Sequence, residues 1–190
     1  MTIIAIVYHS GYGHTRRQAE AVLEGLEAAG ATAALIAISD EGTIEEHEWE
    51  ALDGAGAIIF GSPTYMGMAS WQFKRFADAT SKRWFIQAWR DKLAAGFTNS
   101  ASMNGDKHST LHYFITLAMQ HAMVWVSTGM MPANTKASTR DDINYLGAYA
   151  GLMAQSPADA GTEEAPPAGD IATAREFGRR IAEATRALKG

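Results

Sequence analysis

A continuous apolar run, Ile3 to Tyr8, breaks at a loop of hydroxyls and glycines, Ser10-Gly11-Tyr12-Gly13-His14-Thr15, and a helical pattern begins directly behind it. Nothing else in the chain restricts the fold as much. An apolar run without polar alternation reads as a strand covered on both faces. Ala19, Val22, Leu23, Leu26 and Ala29 then fall on one stripe at three- and four-residue spacing, which predicts a helix from about Thr15 to Ala29. Gly30 ends it. A strand, a hydroxyl/glycine loop and a helix N-terminus present backbone N–H groups and the positive end of the helix dipole to an anion. The opening of the chain therefore points to a phosphate group held at the first loop.

The alternation continues. Strands are predicted near Ala33–Ile38, at Ala57–Gly61, at Leu93–Thr98 and at Met123–Val126. Helices are predicted near Ile44–Leu52, from about Ser70 to Ala79, from about Lys107 to His121, and from Ile171 to about Leu188. Such a pattern builds an α/β protein, a parallel sheet with helices on both faces. The chain, 1–190, is read as a single domain with two loop excursions. Residues 81–92 mix Trp84, Phe85, Ile86 and Trp89 with Lys82, Arg83, Gln87 and Arg90, and read as a loop or short helix carrying exposed aromatics rather than a core element. Residues 130–169 are rich in Gly, Pro, Ala and polar side chains, with 157–169 the loosest part; loops this long are functional or mobile as a rule.

There are 16 basic and 21 acidic residues, a net charge of −5, and no cysteine. Disulfides, thiolate nucleophiles and cysteine metal sites are excluded, so redox chemistry must rest on a bound cofactor. No basic stretch suggests nucleic acid or an anionic membrane. Met1 leads into the first strand without a basic segment or cleavage site, and no apolar run nears the roughly 18 residues of a membrane span. A soluble, cytoplasmic protein is expected. His108 and His112 stand four apart, but no third ligand accompanies them, so no metal is expected.

Three loops, after the first, third and fourth strands, are rich in Gly, Ser, Thr and Asn. In a doubly wound sheet of order 2-1-3-4-5 those strands are adjacent, and the loops meet at the carboxyl edge where ligands bind. Each loop alone is ordinary turn chemistry; three together indicate a ligand site. Ser10, Thr15 and the Gly11–Thr15 backbone suit a monophosphate. Pro63 to Gly67 suits a flat heterocycle, with Pro63 stiffening the turn and Gly67 allowing close approach. Asn99 to Gly105 offers amides and hydroxyls to polar ring atoms. Arg16 and Arg17 read as a solvated helix face. A dinucleotide reading is weaker, because Gly11-Tyr12-Gly13 is followed by Arg16 where a glycine would allow close helix–strand packing. A triphosphate reading lacks Gly-Lys-Ser/Thr.

These residues resemble a family. SGYGHT, the stretch ALDGAGAIIFGSPTYMGMASWQFKRFAD, and FTNSASMNG with AMQHAMVWVSTG are similar to the flavodoxin-like FMN proteins of the Trp-repressor-binding flavoprotein (WrbA) type, NAD(P)H:quinone oxidoreductases. The similarity runs from the first strand to about Gly129. It implies a flavodoxin-like three-layer sandwich with a five-stranded parallel sheet. It implies FMN as cofactor, NAD(P)H as co-substrate, a quinone-like acceptor and a homodimer or homotetramer. By position, it puts the FMN phosphate on Ser10, Gly11, Tyr12, Gly13, His14 and Thr15, and the ring and ribityl chain beside Pro63, Thr64, Tyr65, Met66 and Gly67. Asn99, Ser100, Ala101, Ser102, Met103 and Asn104 would line the polar edge of the ring. Tyr12 would help bind the nicotinamide nucleotide, Trp84 would flank the substrate slot, and His121 would sit near the flavin. The third loop is bulkier and less hydroxylated than the family's, and the chain after Gly129 follows its own pattern.

The leading expectation is hydride transfer from NAD(P)H through FMN to a quinone, with no protein nucleophile and His121 at most a proton donor. A flavodoxin-type one-electron carrier with an acidic docking face, and a non-catalytic FMN-binding module, are the alternatives, and fold alone does not choose among them. Trp71, Phe73 and Phe76 are expected to pack on the helix after the second loop.

Overall fold

A computed structural model describes residues 3–189. The elements run β1 (Ile3–Tyr8), α1 (His14–Ala28), β2 (Thr32–Ala37), α2 (Glu46–Gly54), β3 (Ala57–Tyr65), β4 (Met68–Ala69), α3 (Trp71–Ala79), α4 (Ser81–Phe85), β5 (Leu93–Ser100), α5 (Lys107–Gln120), β6 (Val124–Trp125), β7 (Leu152–Gln155) and α6 (Ala168–Lys189). The sheet has order β2-β1-β3-β5-β6, with β4 paired to β3 and β7 to β5. All pairings are parallel except β3 with β4. The doubly wound flavodoxin-like fold is as expected; the strand count is not. The predicted strand Met123–Val126 supplies only Val124 and Trp125, against Leu93 and Ala94. The other end of β5, Phe97–Ser100, pairs with Leu152–Gln155, inside a stretch expected to be loop. The fifth position is thus shared by two short strands, with residues 126–151 looping out between them.

Side chains alternate across the sheet. Ile4, Ile6 and Tyr8 join Ile59, Ala95 and Phe97 against Val22, Leu26, Phe177 and Ile181. Ala5 and Val7 join Ile58, Phe60 and Ala94 against Trp49, Leu52, Phe73, Phe76, Trp89 and Phe114. These two cores, one per face, fix β1 and β3 so that their carboxyl ends stand side by side. Tyr8 pairs with Gly61, and Pro63 with Asn99.

Several local expectations are corrected. Residues 62–65 belong to β3 and not to the loop after it, because Ser62 and Pro63 still pair with Thr98 and Asn99 of β5, and Thr64 and Tyr65 pair with β4. Segment 81–92 is no free excursion. Trp89 is fully buried, and its Nε1 donates to Asp53 Oδ1 at 2.8 Å. Arg83 lies 4.2 Å over the Trp49 ring, and Lys92 Nζ donates to the Asp53 carbonyl at 2.6 Å, which ties the segment to the end of α2. Trp84, Phe85 and Ile86 are exposed. Phe73 and Phe76 are buried, whereas Trp71 is exposed, because it begins α3 on the solvent side.

Candidate functional site

Residue Gly13 caps α1 in left-handed backbone, φ 89°. The turn that this permits brings Ser10 Oγ to accept from the Arg16 N–H at 3.0 Å. The other N–H groups of the first turn, His14 and Thr15 among them, have no intrahelical partner, and they open onto a cavity of about 530 Å³. Its walls are Tyr12, His14 and Thr15 from the first loop, Pro63, Thr64 and Tyr65 from the end of β3, and Asn99, Ser100 and Ala101 from the end of β5. Tyr12 and Tyr65 meet edge to face at 6.1 Å, and burial raises the Tyr65 pKa, with Tyr12 adding to the shift. Below the floor, Thr64 Oγ1 bridges Thr98 Oγ1 at 2.8 Å and Thr110 Oγ1 at 2.7 Å, locking β3, β5 and α5 together.

The fourth wall, Ser156, Pro157, Ala158, Ala160, Gly161 and Thr162, was not read from the sequence. Its fasteners are half-buried. His14 Nε2 sits 3.0 Å from the Ala160 carbonyl, and Arg17 donates to the carbonyls of Thr162 and, at 3.4 Å, Ala165. Arg17 therefore clamps this loop rather than facing water, while Arg16 does pair on the surface with Glu20. A usable signal was present: Leu-Met-Ala-Gln-Ser-Pro, 152–157, ends as Ile-Phe-Gly-Ser-Pro, 59–63, does.

Lys107 was also missed as a site residue. It is fully buried under the third loop, and its Nζ donates to Ser100 Oγ at 2.8 Å, the Ser102 carbonyl at 2.7 Å and the Met103 carbonyl at 2.9 Å. Desolvation lowers its pKa to about 8, with Asp170 opposing the shift and Arg140 adding to it. Ala101, Ser102, Met103 and Asn104 are exposed above it.

Other predicted residues fall elsewhere. Met66 and Gly67, φ 47° and 80°, form the two-residue turn joining β3 to β4, a geometry that needs positive φ at both positions. In the protein alone nothing stands within 4 Å of a Cβ at Gly67, so the turn and not close approach explains the glycine. Pro63 stiffens a strand, not a turn. His121 and Trp84 line a separate groove with Thr80, Ser81, Tyr113 and Leu117, and neither lines the cavity. His121 is buried, 4.5 Å from the Trp89 ring centroid. Thr80 Oγ1 gives its hydrogen to the Ala77 carbonyl and so accepts from His121 Nε2 at 2.9 Å, which fixes the neutral tautomer. Burial lowers the His121 pKa accordingly. Helix α5 ends at Gln120, which turns this ring under α3 and away from the loops. Among the described residues no His, Cys, Asp or Glu cluster could hold a metal.

The cavity is of ligand size. It has a helix N-terminus at one end, walls without Asp, Glu, Lys or Arg, and the exposed loop after β5 at the other. That suits one phosphate joined to a flat heterocycle, and the residues present fit FMN. A doubly wound sheet whose first, third and fourth loop regions meet in this way defines a flavodoxin-like FMN protein. The chain belongs to the NADPH-dependent FMN reductase family, whose model matches residues 1–136. It is 53% identical to a protein named Flavodoxin FldP from Pseudomonas aeruginosa, over 96% of each chain. It is 34% identical to an NAD(P)H dehydrogenase (quinone) of Geobacter sulfurreducens, over 98% of this chain and 99% of that one. Among solved structures it is similar to a flavodoxin, WrbA-like protein from Agrobacterium tumefaciens, with TM-score 0.79 and 49% identity over 98% and 99% of the two chains. The resemblance to the WrbA type holds.

Proposed function

We propose that this protein is a two-electron oxidoreductase that takes hydride from NAD(P)H and delivers it to a quinone or similarly flat acceptor. The observation that carries the reading is the character of the open site. No Asp, Glu, Lys or Arg side chain lines the cavity, and Tyr12 stands 79% exposed at its wall. Such a rim suits flat, apolar molecules, whereas a carrier docking by charge complementarity needs an acidic one. Bound FMN supplies the electron storage, taking up hydride as two electrons and a proton. The chain binds and orients: Ser10 and the Gly11–Thr15 backbone take the phosphate, Tyr65, Met66 and Gly67 flank the ring, and loop 99–104 meets its polar edge. Tyr12 borders the nicotinamide side. His121, neutral and walled off, is given no proton-transfer role. The exposed Trp84-Phe85-Ile86 segment is proposed as a contact between copies in a homodimer or homotetramer, checked by light scattering.

A second reading, a one-electron carrier to a protein partner, is favoured by the flavodoxin name of the 53% identical relative. Anaerobic addition of NADPH or NADH to FMN-loaded protein separates the two. Rapid bleaching restored by a quinone is the expected result. Slow or absent bleaching with both nucleotides, in protein that photoreduces readily, would replace this reading with the carrier.

A further inference from the structure

Five consecutive carbonyl groups of the third loop are each engaged by the protein behind them. The Ser156 N–H donates to the Ser100 carbonyl at 3.0 Å, and Gln155 Nε2 to the Ala101 carbonyl at 2.7 Å. Lys107 Nζ takes the carbonyls of Ser102 and Met103, and the Lys107 backbone N–H takes that of Asn104 at 3.2 Å. In a trans peptide the N–H points opposite to the C=O of the same unit. Turning the Ser102 and Met103 carbonyls onto the buried ammonium therefore turns the Met103 and Asn104 N–H groups away from it, to the exposed side of the loop. Neither of these N–H groups donates to a protein acceptor among the described residues. Ser100 completes the ring: its hydroxyl accepts from Lys107 and donates to the Ser102 carbonyl at 3.0 Å.

We propose that Lys107 is a positioning residue that holds loop 100–104 with its carbonyls inward, so that its outward N–H groups are ready for the acceptor atoms at the polar edge of the flavin ring. This rests on the FMN reading of the cavity. Lys107 does not line the cavity, so it acts through the loop. An ammonium has three donors, and all three are used here; a neutral amine has two, so deprotonation releases one of the loop's anchors. The charged groups facing Lys107 are Asp170 on α6 and Arg140 on the 126–151 segment. Asp170 is itself buried, accepting from Arg140 Nη2 and from the Gln155 N–H, both at 2.8 Å, so the network that steadies Lys107 also steadies the residue gripping Ala101. With the Lys107 pKa brought down to about 8 by burial, flavin affinity is expected to fall as pH rises through that value.

The test compares FMN with riboflavin, which lacks the phosphate, by fluorescence titration of the apoprotein between about pH 7 and 9, around that lowered lysine value. Lys107→Met is expected to weaken both flavins by the same factor, about tenfold or more, and to abolish the pH-dependent fall of the wild type. Equal loss for the two ligands separates the ring end from the phosphate end, where a defect would alter the FMN-to-riboflavin ratio; loss of the pH-dependent fall separates the positioning role from a general structural defect, which would weaken both ligands and keep that fall. Lys107→Gln, which keeps two donors without the charge, is expected to lie between. Unchanged affinities in folded Lys107→Met overturn the proposal. If that variant does not fold, wild-type affinity that stays flat across the pH range overturns it instead, and a fall centred near pH 8 supports it. Wild-type protein that binds neither flavin would overturn the FMN reading and this inference together, whereas wild-type binding with an indifferent variant removes this inference alone.

Discussion

Replacing Gly13 by alanine tests the cavity at its phosphate end. The backbone there is left-handed, φ 89° and ψ −24°, which costs a residue bearing a Cβ about 1–2 kcal/mol. That Cβ would also lie 2.6 Å from Thr162 Cγ2, where ordinary contact begins at 3.4 Å, so the covering loop must retreat by about 0.8 Å. Arg17 opposes the retreat through its bonds to the Thr162 and Ala165 carbonyls. The two effects together come to about 2 kcal/mol. For a domain of this size that lowers Tm by about 4–8 °C. If the first turn loses 1–2 kcal/mol of its readiness for a phosphate, the FMN Kd rises about tenfold. Riboflavin, with no phosphate to place, should be little affected. The double variant Gly13→Ala/Thr162→Ser removes Cγ2 and is expected to recover the steric share but not the backbone share. Thermal melts and flavin titrations read both quantities. An unchanged Tm and an unchanged FMN Kd in Gly13→Ala would refute the assignment of this loop.

Three further outcomes are expected. A Cβ at Gly25 would stand 1.9 Å from the Arg175 carbonyl oxygen, and one at Gly178 2.1 Å from that of Val22; Gly25→Ala should therefore lower stability by about 2 kcal/mol in urea unfolding, although alanine is intrinsically the better helix former by about 1 kcal/mol. Arg140→Met strips the buried Asp170 carboxylate of its partner and should cost on the order of 2–4 kcal/mol near neutral pH; burial already raises the Asp170 pKa, and the loss should shrink as pH falls, because the penalty exists only while the carboxylate is ionised. Burial lowers the pKa of His9 and of His121, so the unfolded chain takes up protons first and stability should fall as pH drops below about 6.5; His9, whose two ring nitrogens are buried without partners, is expected to tolerate His9→Phe with equal or higher Tm and a shallower pH dependence.

What was legible in the sequence was what short-range pattern decides. The Ile3–Tyr8 run and the Ala19–Ala29 stripe specify a strand, a loop and a helix within one stretch of chain, and the order of such units specifies a doubly wound sheet. The loops rich in Gly, Ser and Asn were visible for the same reason. The rest depends on partners far away in sequence. Lys107 looked like an ordinary helix start; its burial is set by Ser100, Ser102 and Met103 folding over it and by Asp170 on the last helix. Residues 156–162 have a loop's composition, and contacts to residues distant in sequence, His14 and Arg17 about 145 positions earlier and Asn99 and Ser100 on β5, make them a wall. The fifth sheet position was misread because β6 contributes two residues and β7 four, too few for a periodic signal. His121 was placed near the cofactor by resemblance alone; in this structure its ring packs against Trp89 and does not line the cavity, a placement set by contacts distant in sequence.

The charges around the cavity follow one logic. The walls hold no Asp, Glu, Lys or Arg, yet two cations stand behind them, Arg17 under the 156–165 loop and Lys107 under the 99–104 loop. Each spends its donors on main-chain carbonyls: Thr162 and Ala165 for Arg17, Ser102 and Met103 for Lys107. A cation placed in the wall would pair with the phosphate or the ring directly and would attract any anion. Placed behind the wall, Lys107 turns the Ser102 and Met103 carbonyls inward and the N–H groups of Met103 and Asn104 outward, whereas Arg17 only fastens its loop, since Pro166 after Ala165 has no N–H to present. On the proposed reading, a ligand would meet the α1 N-terminus with its phosphate and the loop after β5 with a hydrogen-bonding ring edge. Beside Tyr12 the cavity wall carries no Asp, Glu, Lys or Arg, which on the proposed reading is where a second flat molecule would sit. On this argument Arg17→Met should loosen the phosphate end and Lys107→Met the ring end, and FMN-to-riboflavin affinity ratios shifting in the first variant only would separate the two.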